Sequence, residues 1–391
     1  MTGLTAALDQ ITVSELRRQG GLKWTYPDPD VLAAYVAEMD FGAAPAIEDA
    51  LRAAVTRHDF GYLPPAAATE LAGTVAAWLA QFGWAVDPAW VRPLPDVLKG
   101  LEAAITVFSR PGSPVVLPTP AYMPFLTVPP ALGREIIQVP MVTDGGRLVL
   151  DLDGIAAAFR AGGHLLILCN PCNPAGRVYT PDELRAVTDV VERHGGRVFA
   201  DEIHAPLVYA GHRHVPYAST SATAAGHAIT AVSASKGWNL PGLKCAELIL
   251  TSAADQATWA GTGAGLLYER GTSTLGVRAS IAAFASGRDW LAEVLGYLDG
   301  NRVLLAELLA EHLPTVRYQP PEGTYLAWLD CRDLGLGDSP GEFFLDRARV
   351  LVNDGPAFGR AGNGHVRLNF ATPRPILTQI VRQLAAAVKA R

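Results

Sequence analysis

Two chemically useful side chains stand at the ends of two consecutive apolar runs near the middle of the chain. The run RVFAD ends on Asp201, and the run AITAV is followed by Ser233, Ser235 and Lys236. Parallel strands present their carboxyl ends at one edge of a sheet, and ligands bind outside that edge. An acid and an amine at two such ends therefore predict one ligand that contacts both.

The lysine is the residue that narrows the choice of ligand. A lysine in a largely apolar pocket has a lowered pKa and becomes an amine nucleophile. Lys236 lies between Ser235 and Gly237, a glycine that would let the backbone approach a ligand closely. Schiff-base chemistry with pyridoxal phosphate needs such an amine and a carboxylate opposite the pyridine nitrogen, and Asp201 is the candidate for that carboxylate.

A phosphate group on the ligand would need several donors, and the sequence offers hydroxyls, a cation and the free amides of a helix start. These candidates are Ser233, Ser235, Lys244, Val97 and Leu98. Tyr122, in PTPAYMPF, is a candidate for stacking on a flat ring, with an ordinary core or rim aromatic as the alternative interpretation.

The composition limits the class of protein. The chain has 391 residues, 49% of them hydrophobic and 18% charged, which is typical of a globular protein with a sizeable core. A net charge of -6 gives no basic surface for nucleic acid. The N-terminus lacks the pattern of a secretory signal, and no apolar run approaches the roughly 20 residues of a membrane span. Four cysteines form no disulfide framework, so a cytoplasmic location is expected.

Apolar runs alternate with helical patterns through the centre of the chain. HLLILC (164–169) reads as a strand, residues 181–195 as an amphipathic helix, and RVFADE and HAITAVSAS as the next two strands. This order predicts an α/β fold with a mostly parallel sheet covered by helices on both faces. Beyond residue 285 one long amphipathic helix leads into short strands, which indicates a smaller α+β domain. We expect an N-terminal arm that belongs to the small domain, a large domain and a C-terminal small domain, at 1–45, 46–285 and 286–391.

Three other motifs are interpreted as structural. Cys169 and Cys172 form a C-x-x-C, but no second pair completes a zinc site, so two small buried residues beside a turn are the preferred interpretation. The D-E-I-H piece around His204 has no second ligand cluster, and no metal is predicted. The G-T-G-A-G at 261–265 follows no apolar run like HLLILC and is interpreted as a flexible connector.

Taken in order, the motifs resemble a known family. N-P-x-N-P-x-G, then D-E-x-H, then S-x-S-K are specific to fold-type I pyridoxal-phosphate enzymes of the aminotransferase class I/II superfamily. The pieces E-M-D-F, F-G-Y and D-E-I-H are similar to the MalY/PatB-like cystathionine beta-lyases, a group of C-S lyases. The likeness extends over nearly the whole chain, from residue 23 to residue 374. It implies an aspartate aminotransferase-like fold with pyridoxal 5'-phosphate as the cofactor.

The resemblance also implies roles for individual residues. Lys236 would form the Schiff base and then remove the Cα proton, Asp201 would pair with the pyridine nitrogen, and Tyr122 would stack on the ring. Asn173 would hydrogen-bond the ring hydroxyl oxygen, with His204 close by. The phosphate would be held by the backbone amides and side chains of Val97, Leu98, Ser233, Ser235 and Lys244.

The remaining implied roles concern the substrate and a second subunit. Arg367 would fork onto the substrate carboxylate, with Arg374 as its rival, and Asn173 would assist. Tyr62, in F-G-Y, would reach the phosphate and the substrate of the neighbouring subunit in a homodimer. Three positions depart from the usual pattern: Lys244 replaces an arginine, Pro206 an acidic residue, and Glu38 part of A-D-M-D-F.

The predicted reaction is α,β-elimination on an L-cysteine S-conjugate such as L-cystathionine, giving homocysteine, pyruvate and ammonia. An aminotransferase shares every cofactor residue and is the first alternative. A regulatory protein that keeps the same fold and binds a transcription factor is the second, less favoured because both the lysine and the aspartate are present.

Overall fold

The computed structural model describes residues 3–391. The strands are β1 (Leu32–Ala33), β2 (Val91–Leu94), β3 (Val115–Thr119), β4 (Ile136–Pro140), β5 (Val142–Asp144), β6 (Arg147–Val149), β7 (Leu165–Cys169), β8 (Arg197–Asp201), β9 (Ala228–Val232), β10 (Ala246–Leu250), β11 (Arg317–Tyr318), β12 (Leu326–Asp330), β13 (Val350–Leu351), β14 (Asn353–Asp354) and β15 (His365–Asn369). The helices are α1 (Gly3–Asp9), α2 (Val13–Gln19), α3 (Leu22–Thr25), α4 (Pro45–Thr56), α5 (Pro65–Leu79), α6 (Val97–Val107), α7 (Pro124–Ala131), α8 (Leu152–Arg160), α9 (Pro181–Arg193), α10 (Ala222–His227), α11 (Ala253–Thr262), α12 (Ala264–Tyr268), α13 (Thr274–Ser286), α14 (Arg288–His312), α15 (Pro340–Phe343) and α16 (Arg374–Lys389).

A seven-stranded sheet forms the centre of the molecule, in the order β2-β10-β9-β8-β7-β3-β4. Strands β9, β8, β7, β3 and β4 pair in parallel, whereas β10 runs antiparallel to both of its neighbours. The predicted mostly parallel α/β sheet is confirmed. Cys169 pairs with Asp201, and Asp201 pairs with Ala231, so β7, β8 and β9 end at the same edge.

The central strands are buried on both faces, and their side chains divide between two apolar cores. In β8, Val198 and Ala200 belong to one core and Phe199 to the other, because successive side chains of a strand point to opposite faces. A strand with both faces covered reads as a continuous apolar run, and this explains why HLLILC and RVFAD show no polar alternation.

A second sheet, β11-β12-β15-β14, is antiparallel and lies in the C-terminal part of the chain. Strand β1 pairs in parallel with β13, which joins the N-terminal segment to this part of the molecule. Residues 288–312 form the single long helix predicted from the sequence. The division into domains at residues 45 and 285 stays a prediction.

One local prediction is wrong. Residues 261–265 are mainly helical, since α11 ends at Thr262 and α12 begins at Ala264. Gly263 between them adopts a left-handed conformation with φ of 68°, which glycine accepts without strain and which separates the two helices. Within residues 3–391, no helix is long and apolar enough to cross a membrane.

Candidate active site

The two carboxylates at the end of β8 point in different directions. Asp201 is 3% exposed, and its Oδ1 accepts a hydrogen bond from the Ile203 amide at 3.0 Å. Glu202 lies within 3.1 Å of His214 Nε2 and accepts the Tyr217 amide at 2.7 Å. Consecutive strand residues alternate in direction, so D-E supplies one acid to the cavity and one to the protein interior.

Lys236 lies at the neighbouring strand end and contacts the N-terminal segment. Its Nζ donates to the Ala37 carbonyl at 2.8 Å, and the Tyr325 hydroxyl donates to the same oxygen at 2.9 Å. Gly237, which follows the lysine, is required by packing against a neighbouring proline and not by access to a ligand. A Cβ on Gly237 would lie 2.8 Å from the Cβ of Pro206.

Burial sets the protonation of the central groups. Desolvation, and then the charge of Arg367, lowers the pKa of Lys236 to about 8. Desolvation raises the pKa of Asp201 to about 7 and lowers the pKa of His204 to about 3, where Lys236 and Arg367 add to the effect. His204 is therefore neutral at neutral pH, and its buried Nδ1 has no hydrogen-bond partner in the described part of the chain.

The start of α6 forms the opposite end of the cavity. Asp96 is the N-cap residue, and its Oδ1 accepts the Lys99 amide at 3.0 Å. The first helical residues, Val97 and Leu98, present amides at the positive end of the helix dipole. Lys244 Nζ lies 3.1 Å from Asp96 Oδ2, which places its charge beside those amides.

The two serines before the lysine shape the turn that carries it. Ser233 Oγ donates to the Cys245 carbonyl at 2.7 Å and accepts the Ser235 amide at 3.0 Å. The Ser233 hydroxyl thus ties the end of β9 to the start of β10. This position was predicted from the sequence as a phosphate ligand, and in the protein alone its donor is engaged by the backbone.

A cavity of about 160 Å³ joins these groups. Ten predicted site residues line it: Val97, Leu98, Tyr122, Asn173, Asp201, His204, Ser233, Ser235, Lys236 and Lys244. The sequence reasoning missed five other lining residues with polar or backbone groups: Ala37, Asp96, Cys169, Ile203 and Cys245. Asp96 carried a detectable signal, an acid just before a helical pattern, whereas Ala37 reaches the cavity only through tertiary contacts.

Arg367 does not line this cavity, but it contacts a residue that does. Its Nη1 donates to Asn173 Oδ1 at 3.0 Å, and its Nη2 donates to the Tyr35 carbonyl at 2.8 Å and to Asn353 Oδ1 at 2.5 Å. Its buried Nε has no partner within residues 3–391 and remains a free donor. Arg374 instead places its guanidinium over a tyrosine ring, 4.5 Å from the centroid.

Two features singled out in the sequence have no catalytic position in this cavity: the exposed tyrosine of F-G-Y and the cysteines of the C-x-x-C motif. Tyr62 is 97% exposed and lines a separate surface cavity with Leu266 and Arg270, so its role in a neighbouring subunit stays a prediction. Cys169 and Cys172 are unpaired thiols, and burial raises the pKa of both. Within residues 3–391, no group of three or more acidic, histidine or cysteine side chains is arranged to hold a metal ion.

The cavity has the donor set that pyridoxal phosphate requires. A buried carboxyl with one backbone hydrogen bond, an amine with a lowered pKa and an orphaned imidazole nitrogen converge on one side. A helix start with a nearby lysine lies on the other. The residues therefore fit the cofactor: Asp201 would face its pyridine nitrogen, Tyr122 would cover its ring, and the start of α6 with Lys244 would hold its phosphate.

This fold and this cavity define a fold-type I pyridoxal-phosphate enzyme. Residues 32–384 match the family described as Aminotransferase class I and II, and the chain belongs to this family. The cystathionine beta-lyase of Corynebacterium glutamicum is 37% identical, over 96% of this chain and 99% of that protein. A Mycobacterium tuberculosis protein provisionally named cystathionine beta-lyase is 40% identical, over 98% of each. The crystal structure of cystalysin from Treponema denticola, which contains pyridoxal 5'-phosphate, is similar with a TM-score of 0.90 and 26% identity, over 96% of this chain and 97% of that one.

Proposed function

We propose that this protein is a pyridoxal-phosphate-dependent carbon–sulfur lyase that acts on an L-cysteine S-conjugate such as L-cystathionine. The products are a thiol, which is homocysteine from cystathionine, together with pyruvate and ammonia. The observation that carries the proposal is the meeting of Lys236, Asp201 and the start of α6 in one cavity. The names of the full-length relatives agree with the activity predicted from the sequence.

The chain's own groups divide the chemistry between them. When bound, the cofactor supplies an electron sink that stabilises negative charge at the substrate Cα. Lys236 would hold the cofactor covalently and, once released, would take the Cα proton; a pKa of about 8 leaves part of its amine unprotonated at neutral pH. Asp201 would keep a proton on the pyridine nitrogen, because the buried carboxylate, whose pKa burial raises to about 7, would gain a cationic partner there.

Binding and orientation fall to residues around this centre. Arg367 binds the substrate carboxylate, and its contacts with Asn173, Tyr35 and Asn353 fix the plane of the guanidinium. Tyr122, which lines the cavity, would cover one face of the cofactor ring. The phosphate would be held by the amides of Val97 and Leu98 and by the side chains of Ser235 and Lys244, whereas Ser233, whose hydroxyl donates to the Cys245 carbonyl, would shape the turn beside it.

The choice between lyase and aminotransferase rests on one assay. Purified protein loaded with cofactor is given L-cystathionine without any keto acid, and thiol and pyruvate are measured together. Equal amounts of both products establish elimination. Amino-acid consumption that occurs only after a keto acid is added identifies an aminotransferase and refutes the lyase.

We further propose a homodimer in the cytoplasm, in which Tyr62 completes the partner's site. Tyr62 is 97% exposed and lines a surface cavity with the exposed Leu266, which supports an interface there. Four unpaired cysteines agree with a reducing compartment. Sedimentation gives the mass, and Tyr62→Ala should keep the dimer while cofactor affinity falls; a monomeric, fully active protein would contradict the proposal.

A further inference from the structure

The amine of Lys236 shares its acceptor with a buried tyrosine. Lys236 Nζ donates to the Ala37 carbonyl oxygen at 2.8 Å, and the Tyr325 hydroxyl donates to the same oxygen at 2.9 Å. A carbonyl oxygen has two lone pairs, so these two donors use its full accepting capacity. Tyr325 is 1% exposed, and desolvation raises the pKa of its hydroxyl, which therefore stays a neutral donor. Ala37 and Lys236 both line the cavity, so the shared oxygen lies beside the reacting centre.

The Ala37 carbonyl is held in place by contacts other than these two hydrogen bonds. Asn369 Nδ2 donates to the carbonyls on either side of it, that of Val36 at 2.6 Å and that of Glu38 at 2.7 Å. Asn369 is fully buried, and its Oδ1 accepts the Ala371 amide at 2.7 Å, which fixes the orientation of the side-chain amide. The shared oxygen therefore stays in position when one of its two donors is removed.

We propose that Tyr325 is a positioning residue that competes with Lys236 for the Ala37 carbonyl and thereby keeps the lysine amine available as a base. Two donors on one oxygen share its electron density, so each hydrogen bond is weaker than it would be alone. A hydrogen bond to the charged form of a group stabilises that form. A weaker bond from the Lys236 ammonium therefore favours the release of its proton. This inference rests on the proposed function, in which Lys236 takes the Cα proton.

The charges around Lys236 stay the same when the tyrosine hydroxyl is removed. Beyond desolvation, four charged side chains shift the pKa of Lys236: Arg367 and Lys244 lower it, and Glu38 and Asp201 raise it. The Tyr325 hydroxyl is bonded to a backbone oxygen and to none of these four groups within residues 3–391. The Tyr325 ring packs edge-on against the neutral His204, with centroids 6.4 Å apart, and phenylalanine keeps this ring contact. Tyr325→Phe thus changes the shared acceptor and leaves the surrounding charges in place.

The test is Tyr325→Phe, with Tyr209→Phe as the matched control. The Tyr209 hydroxyl is also buried and donates to a backbone carbonyl, that of Thr324 at 2.6 Å, which Lys236 does not share. In the cofactor-free full-length protein, modification of Lys236 by trinitrobenzenesulfonate is followed by peptide mapping across a range of pH. The midpoint, near pH 8 in the parent, should rise by about 0.5 in Tyr325→Phe, as the strengthening of one hydrogen bond allows. It should stay at the parent value in Tyr209→Phe.

The pH dependence of turnover supplies a second readout. A rise of about 0.5 in the midpoint should lower kcat on L-cystathionine roughly threefold at pH 7. At about pH 9.5 the two proteins should have equal kcat, because the amine is then unprotonated in both. A purely structural defect would instead lower kcat equally at both pH values, and that result would refute the proposal.

A second variant keeps the titration decisive should Tyr325→Phe fail to fold. Tyr325→Met also lacks the hydroxyl donor, and its flexible side chain fills an irregular space in a core. If the folded variant does not raise the midpoint of Lys236, or if Tyr209→Phe raises it equally, the positioning role of Tyr325 is refuted. If the cofactor-loaded parent releases no thiol and pyruvate, the lyase function is wrong, whereas the titration of the cofactor-free protein still decides whether Tyr325 acts on Lys236.

Discussion

Arg367→Lys tests the substrate-binding half of the site most directly. Lysine keeps the charge but has one nitrogen in place of the planar guanidinium, so it cannot satisfy Asn173, Tyr35 and Asn353 and still bind a carboxylate in a fork. A charge-assisted hydrogen bond contributes about 1.5–3 kcal/mol, so losing one to the substrate lowers kcat/KM roughly 10- to 150-fold. Most of this loss should appear in KM, because the carboxylate is bound before and during the reaction.

The assay is steady-state pyruvate release from L-cystathionine, with thermal unfolding to show that Arg367→Lys still folds. Arg374→Lys is the matched control and should stay within about twofold of the parent, since its guanidinium lies over a tyrosine ring. A double-mutant cycle is completed with a cysteine S-conjugate whose α-carboxylate is replaced by a carboxamide. The parent enzyme should be much less active on the carboxamide than on the carboxylate, whereas for Arg367→Lys the two substrates should differ little. If the losses caused by Arg367→Lys and by the carboxamide are additive, or if Arg374→Lys lowers activity more than Arg367→Lys does, the assignment of Arg367 is refuted.

Three further predictions follow from the buried titratable groups. Asp201→Asn should lower kcat on the order of 100-fold while the cofactor still binds, which absorbance and turnover measure together. Lys236 in the cofactor-free protein should react with trinitrobenzenesulfonate with a midpoint near pH 8, whereas a midpoint above 10 would contradict its lowered pKa. Burial raises the pKa of Glu247 to about 8, so this acid destabilises the folded state increasingly between about pH 4 and pH 8. Glu247→Gln should therefore raise the melting temperature more at pH 8 than at pH 5; equal shifts at the two values would contradict it.

Much of the central part of the molecule could be predicted because its signals are local. An apolar run of five residues between turns predicts a doubly covered strand, and Thr180 with Glu183 forms the capping box that starts α9 where the sequence indicated. The end of each strand is then known, and with it the position of Asp201 and Lys236. The connector at 261–265 was missed because glycine-rich composition also suits the short break between two helices.

The partners of these residues were decided by tertiary structure alone. The carbonyl of Ala37, which receives Lys236, comes from a segment 199 residues earlier in the chain, and Asn353 meets Arg367 because β14 pairs with β15. Such contacts depend on how separate elements pack, and this packing cannot be inferred from the type or spacing of the side chains.

The sequence by itself determined the kind of chemistry, since only a few residue types at strand ends and helix starts can hold an aldehyde cofactor with a phosphate. Tertiary structure decided the pKa values of those residues. Burial shifts the pKa values of Lys236 and Asp201 toward each other, to about 8 and about 7. Desolvation is a property of the assembled protein, because it depends on every chain segment that excludes water from the group.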